Sequence, residues 1–309
     1  MRVLITGASG FVGAALRRRL AVNPRWRVRA TSRTPPARLE PGVEWVTGIE
    51  LGPAANWQPL IDGIDVVVHL AARVHVMNAG AASGEPYQRV NVDGTRRLAE
   101  QAASAGVRRL VFLSSVKVHG EDGHLTEESP MAPADPYGIS KRDAEAALHD
   151  VAARTHLEVV IIRSPLVYGP GVKANFQSLA AAVRKGIPLP FASVSNRRSL
   201  VGVDNLADMI AVCMEHPAAA SQAFLVSDDA DVSTAELVRR LAAAAGRPAR
   251  LLKVPVWILR AAAAMTGKLP AVNRLTGSLT VDISKAKRLL AWTPPVPLDE
   301  GLRRAVRQP

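Results

Sequence analysis

The chain has one cysteine, Cys213, in 309 residues. That excludes an intramolecular disulfide and any zinc site built from several thiolates, and no metal site is expected. Aromatic residues make up only 4%, poor material for stacking nucleic-acid bases. No run of 18 apolar residues occurs. The longest apolar stretch, 254–265, is short and is interrupted by Arg260, so no membrane span is expected. The opening Met1-Arg-Val-Leu-Ile-Thr-Gly7 lacks the regions of a secretory signal. Acids are scarce relative to bases: 27 Asp+Glu stand against 39 Lys+Arg, a net charge of +12. The bases are mostly Arg and read as scattered; their densest run is Arg17-Arg18-Arg19, on one predicted helix. No zinc-finger spacing or aromatic RNA-binding strand accompanies them, so a nucleic-acid partner is not expected. What is present is a 48% hydrophobic fraction, enough for a sizeable core in a soluble protein of a reducing compartment, the cytoplasm.

Short apolar runs alternate with helical patterns along the first two-thirds of the chain. Strands are expected at 3–6, 28–32, 44–47, 66–70, 110–113 and 158–162, and helices at 12–22, 87–105 and 137–154. The run at 66–70 is apolar throughout, as in a strand buried on both faces of a parallel sheet. This alternation predicts an α/β fold: a doubly wound parallel sheet of the Rossmann type. After about residue 167 the pattern loosens at Gly169-Pro170-Gly171. Helices at 176–185, 205–215 and 234–245 then alternate with short strands. We read residues 1–167 as a dinucleotide-binding domain and 168–309 as a smaller, partly interleaved α/β substrate lobe.

Thr6-Gly7-Ala8-Ser9-Gly10-Phe11-Val12-Gly13 follows the first strand and opens a helix. Gly7 allows the tight turn, Gly10 lets the backbone approach a pyrophosphate, and Gly13 permits close helix–strand packing. The backbone around Ser9, Phe11 and Val12 belongs to the helix N-terminus, whose N–H groups and dipole favour phosphates. An acid at the end of the second strand would bind adenosine-ribose hydroxyls and repel a 2′-phosphate. Thr31-Ser32-Arg33 stands there instead. Arg33 can pair with a 2′-phosphate and Ser32 can donate to it, which favours NADP(H) and leaves NAD(H) open.

Tyr137 and Lys141 are four apart at the start of a predicted helix and share a face. A nearby ammonium lowers a phenol's pKa, which suits it to acid–base work near neutral pH. Ser114 and Ser115 end a buried strand, at the edge where doubly wound sheets place ligands.

With these motifs the chain resembles the extended short-chain dehydrogenase/reductase family, in its nucleotide-sugar epimerase, dehydratase and reductase branch. The resemblance spans nearly the whole sequence. It is carried by Thr6–Gly13, His69-Leu70-Ala71-Ala72, Asn91-Val92-Asp93-Gly94-Thr95, Ser114-Ser115, Tyr137–Lys141, the stretch from Arg163 to Gly169, the stretch from Arg198 to Ala207, and the tail beginning at Asp282. It implies that Tyr137 is the acid/base. Lys141 would bind the nicotinamide ribose and lower the pKa of Tyr137, and Ser115 would be the catalytic hydroxyl. Leu70, Ala71, Ala72 and Ser114 would line the dinucleotide, with Pro165 and Leu166 beside the nicotinamide. Asn91 would support the site. Asn175 and Arg198 would hold the substrate's pyrophosphate, Phe191 would pack on its base, and Arg274 is a further diphosphate candidate. The resemblance also implies a homodimer. The helices over 87–105 and 137–154 would form a four-helix bundle, with Ala99, Ala102, Ala103, Ala144, Ala146 and Ala147 permitting close approach.

The family's shared step is hydride transfer at a sugar carbon, usually C4, of a nucleotide-sugar substrate. Its dehydratases place an acidic pair after the catalytic hydroxyl, where this chain has Val116-Lys117. Its C3/C5 epimerases need another base, for which Cys213, His75 and His119 are the candidates considered; Cys213 and His119 read as structural. A 4-keto reductase acting on a UDP-linked 6-deoxy-4-hexulose is preferred, because Arg33 suits an exchanging NADPH. The chain's middle resembles bacterial O-antigen enzymes of the UDP-N-acetylquinovosamine and UDP-N-acetylfucosamine type. A UDP-hexose 4-epimerase is the alternative, and a non-catalytic NADP-binding sensor is an alternative of another class.

Overall fold

A computed structural model describes residues 1–36, 40–74, 84–172 and 174–307. His75 lies outside them. The strands are β1 (Arg2–Thr6), β2 (Arg27–Ser32), β3 (Val43–Thr47), β4 (Val66–His69), β5 (Arg109–Ser115), β6 (Gly123–Leu125), β7 (Glu158–Ser164), β8 (Leu166–Tyr168), β9 (Leu200–Gly202), β10 (Ala223–Leu225) and β11 (Leu279–Val281). The helices are α1 (Phe11–Ala21), α2 (Gln58–Ile61), α3 (Glu85–Tyr87), α4 (Gly94–Ser104), α5 (Pro136–Arg154), α6 (Ala174–Arg184), α7 (Val203–Glu215), α8 (Thr234–Ala244), α9 (Val256–Met265), α10 (Leu269–Thr276), α11 (Ser284–Leu290) and α12 (Leu298–Val306).

Seven strands form one sheet in the order β10-β7-β5-β4-β1-β2-β3, with every pairing parallel. The order reverses between β1 and β4, and the crevice at such a switch point is where ligands bind. The apolar strands divide by parity. Val3, Ile5, Val66, Val68, Val160 and Ile162 pack on one face with Leu16 and Leu20 of α1 and Leu206 and Ile210 of α7. Leu4, Val67, Leu110, Phe112, Val159 and Ile161 pack on the other with Leu98 of α4 and Leu148 of α5. Both faces are dry, which is why the strands read as continuous apolar runs. Arg17, from the run read as the densest basic cluster, is buried; it lies over the Trp45 ring at 4.6 Å and pairs with Glu40.

The helix expected over 87–105 is present as one continuous helical stretch over 85–104, with a π-helical segment inside it. This π-helical turn, Gln88–Asp93, joins α3 to α4. Such turns add a residue to the helical repeat and often sit at functional sites; this one carries Asn91. At the end of the turn Gly94 lies so close to the loop after β3 that a Cβ would come within 2.9 Å of Leu51.

The later part of the chain is shared out. α7 and β10 return to the large sheet, while β8, β9, α6, α8 and α12 enclose a third apolar cluster around Tyr168, Phe176, Leu241 and Leu302. Tyr168 Oη donates to Asp228 Oδ2 at 2.6 Å, and Asp228 Oδ1 accepts from Gly202 N at 2.8 Å and Asn205 Nδ2 at 2.7 Å. The small sheet β6–β11 and the hairpin α9–α10, which takes up the alanine run 261–264, have no counterpart among the elements expected from the sequence.

The alanines assigned to a subunit contact need correction. Ala99, Ala102, Ala144 and Ala147 are fully buried within the chain itself. They let α4 and α5 approach each other and the sheet, and only Ala146 of the six is exposed.

Gly301 of α12 sits where a Cβ would lie 2.4 Å from Tyr168 Oη. The Gly301→Ala protein is expected to lose ~2 kcal/mol of unfolding free energy through overpacking, as measured by urea denaturation.

Candidate active site

The glycine-rich turn closes with Gly10 N donating to Gly7 O at 3.0 Å. Gly7 has φ +68°, and a Cβ there would meet Ala71 N at 2.7 Å; a Cβ on Gly13 would meet Gly7 O at 2.5 Å. The turn therefore abuts half-buried Leu70, Ala71 and Ala72 at the end of β4. Ser9 and Gly10 are exposed, Phe11 and Val12 half-buried. Gly10 caps α1 without a side-chain hydrogen bond, which leaves the first-turn N–H groups to an anion. This cradle, which side chains would fill, fits a dinucleotide's diphosphate. At the end of β2 the Ser32 hydroxyl is buried and donates to Thr34 O at 2.6 Å, while Arg33 is exposed.

A chain of hydrogen bonds supports the β4 end. Ala71 N donates to Thr6 Oγ1 (3.2 Å), Thr6 Oγ1 lies 2.6 Å from His69 Nδ1, and His69 Nε2 lies 2.9 Å from Thr95 Oγ1. Both ring nitrogens of His69 are thus engaged by hydroxyls that can donate or accept, which suits a neutral ring in either tautomer. Burial, helped by the charge of Lys141, lowers the His69 pKa to about 3. Asn91 joins the same loop to α5: its Oδ1 accepts from Arg73 N at 2.7 Å, and its Nδ2 donates to Arg73 O at 3.0 Å and Ser140 Oγ at 2.9 Å.

Asp135 caps α5 by accepting from Gly138 N at 2.6 Å, and it also pairs with Lys117. This sets Tyr137 in the first turn and turns Lys141 inward, where its Nζ donates to Leu113 O at 2.8 Å. Nζ lies 4.4 Å from the Phe112 ring centre and 6.0 Å from that of Tyr137. Burial lowers the Lys141 pKa to about 7 against the opposing pull of Glu145. Tyr137 is pushed above the usual phenol range by burial and then by the charge of Asp135. In these surroundings the phenol is held in its protonated form, and positive charge placed beside it would lower its pKa. Ser115, half-buried at the end of β5, accepts from Lys117 N at 3.3 Å. Ser114 points elsewhere: its hydroxyl donates to Glu145 Oε1 at 2.5 Å.

Glu145 belongs to a buried group that sequence reasoning missed. Arg163 Nη2 reaches its Oε2 at 2.7 Å, and both side chains are almost wholly buried. Arg163 Nη1 also contacts His119 Nε2 at 3.1 Å and donates to Glu127 O at 3.1 Å. The available signal was a lone acid four residues after Lys141 on an inward helix face, and a lone base in an apolar strand. His119 has both ring nitrogens engaged, the second with Pro130 O at 3.2 Å. Its pKa is lowered by burial and by Arg163. Cys213 is fully buried on α7, and burial pushes its thiol up.

On the opposite side, Arg198 Nη1 donates to Arg274 O at 2.8 Å and Gly277 O at 3.1 Å. Burial lowers the Arg198 pKa, Glu121 opposes that shift, and the neighbouring Arg274 adds to it. Two guanidinium groups are thus brought together beside the loop that follows Ser115, a setting an anionic diphosphate would relieve. Phe191 is half-buried against the third apolar cluster. Asn175 is exposed on α6, Pro165 is buried, and Leu166 is exposed on β8.

His69 yields a pH test. Its unfolded pKa is near 6.5 and its folded pKa about 3, so the unfolded chain binds the extra proton between those values. The neutral ring's contribution is complete above pH 6.5 and is lost as pH falls toward 3, at ~1.4 kcal/mol per unit. Urea denaturation at pH 7, 6 and 5 is expected to show a fall in stability that flattens in the His69→Gln protein.

Comparison with known proteins agrees with this geometry. The family model for NAD dependent epimerase/dehydratases matches residues 3–226. A UDP-glucose 4-epimerase of Vibrio cholerae is 45% identical over 99% of this chain and 94% of its own length. A ceramide reductase of Caulobacter vibrioides is 32% identical over 97% of this chain and 88% of its own length. The structure of MoeE5 in complex with UDP-glucose and NAD superposes with a TM-score of 0.80 at 28% identity, covering 99% of this chain and 97% of that one. The protein is an enzyme of nucleotide-sugar chemistry and belongs to the NAD-dependent epimerase/dehydratase family.

Proposed function

We propose that this enzyme interconverts the C4 epimers of a UDP-linked hexose with a retained NAD, in the cytoplasm. Residues 1–167 would hold the dinucleotide and 168–309 the nucleotide sugar. The observation that carries the reading is Tyr137 set by the α5 cap beside the end of β5, with Lys141 anchored to Leu113 O one turn along the helix. The 45% identity to a UDP-glucose 4-epimerase supports the substrate and outcome.

The bound dinucleotide supplies the hydride acceptor and donor and, when oxidised, positive charge that lowers the Tyr137 pKa. Tyr137 Oη takes the proton of the C4 hydroxyl and later returns it. Ser115 Oγ holds the same oxygen by a hydrogen bond. Lys141 binds the nicotinamide ribose, and Arg198 with Arg274 receives the diphosphate. Val116 and Lys117 follow Ser115, where an acidic pair would be needed to expel a C6 hydroxyl. His119 and Cys213 are both committed to packing, which disfavours epimerisation at C3 or C5.

A second reading, 4-keto reduction of a UDP-linked 6-deoxy-4-hexulose with NADPH, is favoured by exposed Arg33 at the end of β2. The two differ in cofactor balance. Incubated with UDP-glucose or UDP-N-acetylglucosamine and no added nicotinamide, the enzyme is expected to yield the C4 epimer. With UDP-4-keto-6-deoxy-N-acetylglucosamine and NADPH, no stoichiometric loss of nicotinamide absorbance is expected; such loss would establish the reductase instead. The Tyr137→Phe protein is expected to lose ~10²–10⁴-fold in kcat while retaining bound dinucleotide; unchanged turnover would refute the mechanism. We further propose a homodimer through the outer faces of α4 and α5, with a dimer expected in sedimentation velocity at micromolar concentration.

A further inference from the structure

The surplus of basic charge is not scattered. Residues 237–281 contain eight Lys or Arg and no Asp or Glu, so they hold eight of the chain's twelve net positive charges. This stretch includes the hairpin α9–α10. Helix α9 reads Val-Trp-Ile-Leu-Arg-Ala-Ala-Ala-Ala-Met, nine apolar residues in ten, yet only Ala263 is buried; α10 buries none.

The apolar residues of α9 are arranged with helical regularity. Trp257, Ile258, Ala261, Ala264 and Met265 fall on one face, and all five are exposed, Trp257 at 71% and Met265 at 83%. Val256, Leu259 and Ala263 lie on the opposite side and turn toward the protein. Arg260 flanks the exposed face, and Lys253 and Lys268 stand just outside the two ends of α9, all three exposed. Among the described residues, none of Arg247, Arg250, Lys253, Arg260, Lys268 and Arg274 forms an ion pair with an acid. An aromatic and aliphatic face bordered by unneutralised bases has the composition of a helix lying in a lipid–water interface. The helix is too short to cross a bilayer.

We propose that the α9–α10 hairpin docks the enzyme on an anionic phospholipid surface. Trp257, Ile258 and Met265 insert at the level of the headgroups, while Arg260, Lys253 and Lys268 reach lipid phosphates with their long side chains. Charge complementarity selects this occupant. A second copy related by a two-fold axis would oppose the same acid-free surface to itself, whereas an anionic bilayer offers both the apolar layer and the opposite charge. The hairpin is also fixed to the substrate side of the cleft, because Arg198 Nη1 is held by the carbonyls of Arg274 and Gly277 at its end. The inference does not depend on which C4 reaction the site performs.

The test is flotation of the full-length protein with vesicles of phosphatidylcholine alone, and with phosphatidylglycerol added at about one lipid in three. Roughly tenfold more protein is expected on the mixed vesicles, with binding weakened by high salt. The Trp257→Glu/Met265→Glu protein is expected to fall to the phosphatidylcholine level with thermal unfolding and turnover unchanged. Absent binding by the parent protein, or equal binding by the double variant, overturns the proposal. So does a double variant whose sedimentation shows that it separates a dimer into monomers, since a second copy would then own the face. Failure to float combined with tight binding of a single-stranded oligonucleotide would assign the bases to nucleic acid and likewise overturn it.

Discussion

The site depends on one buried ion pair, Glu145 with Arg163. Glu145 stands on α5, the helix that carries Tyr137 and Lys141; Arg163 stands on β7. Their bonding extends to Ser114 at the end of β5, to His119 in the following loop and to the carbonyl of Glu127. Five segments that meet at the sheet's C-terminal edge are thus held by a single charge pair. Removing either partner would leave a buried charge uncompensated, a loss typically of several kcal/mol. The gain is in position more than in stability, because the orientation of α5 decides where the phenol stands.

The same electrostatics set the protonation states around the reaction. Lys141 is buried to the point that its ammonium is only marginally favoured near neutral pH, and it contributes to keeping His69 neutral. His69 in turn fixes Thr6, and Thr6 fixes the backbone of Ala71 against the glycine-rich turn. The glycine-rich turn is tied in this way to the end of β4, and Asn91 ties the loop that follows β4 to α5 through Arg73 and Ser140.

The outer surface follows another logic. Most of the chain is close to electrically balanced, with basic residues such as Arg17, Arg29 and Arg109 used inside the fold on aromatic rings or acids. The imbalance is concentrated in the acid-free stretch around α9 and α10, where the apolar residues are also left uncovered. Charge and exposed hydrophobicity coincide there and nowhere else among the described residues on this scale.

The sequence by itself determined the architecture and the motif positions. Parallel-sheet strands buried on both faces must be apolar without interruption, and a phosphate-approaching turn must have glycine at Gly7 and Gly13, so both are written in local composition. The placement of Tyr137 and Lys141 on one helix and of Ser115 at a strand end was legible because helix spacing and strand ends are local properties. Tertiary structure decided what depends on residues distant in sequence. It bonded the Ser114 hydroxyl to Glu145, placed a π-helical segment inside the expected 87–105 helix, where Asn91 joins Arg73 and Ser140, and spent the small residues Ala99, Ala102, Ala144 and Ala147 on packing within the chain. It also showed the basic residues around α9 to border one apolar face. None of these follows from periodicity, because burial, hydrogen-bond partners and pKa shifts are set by groups that only folding brings together.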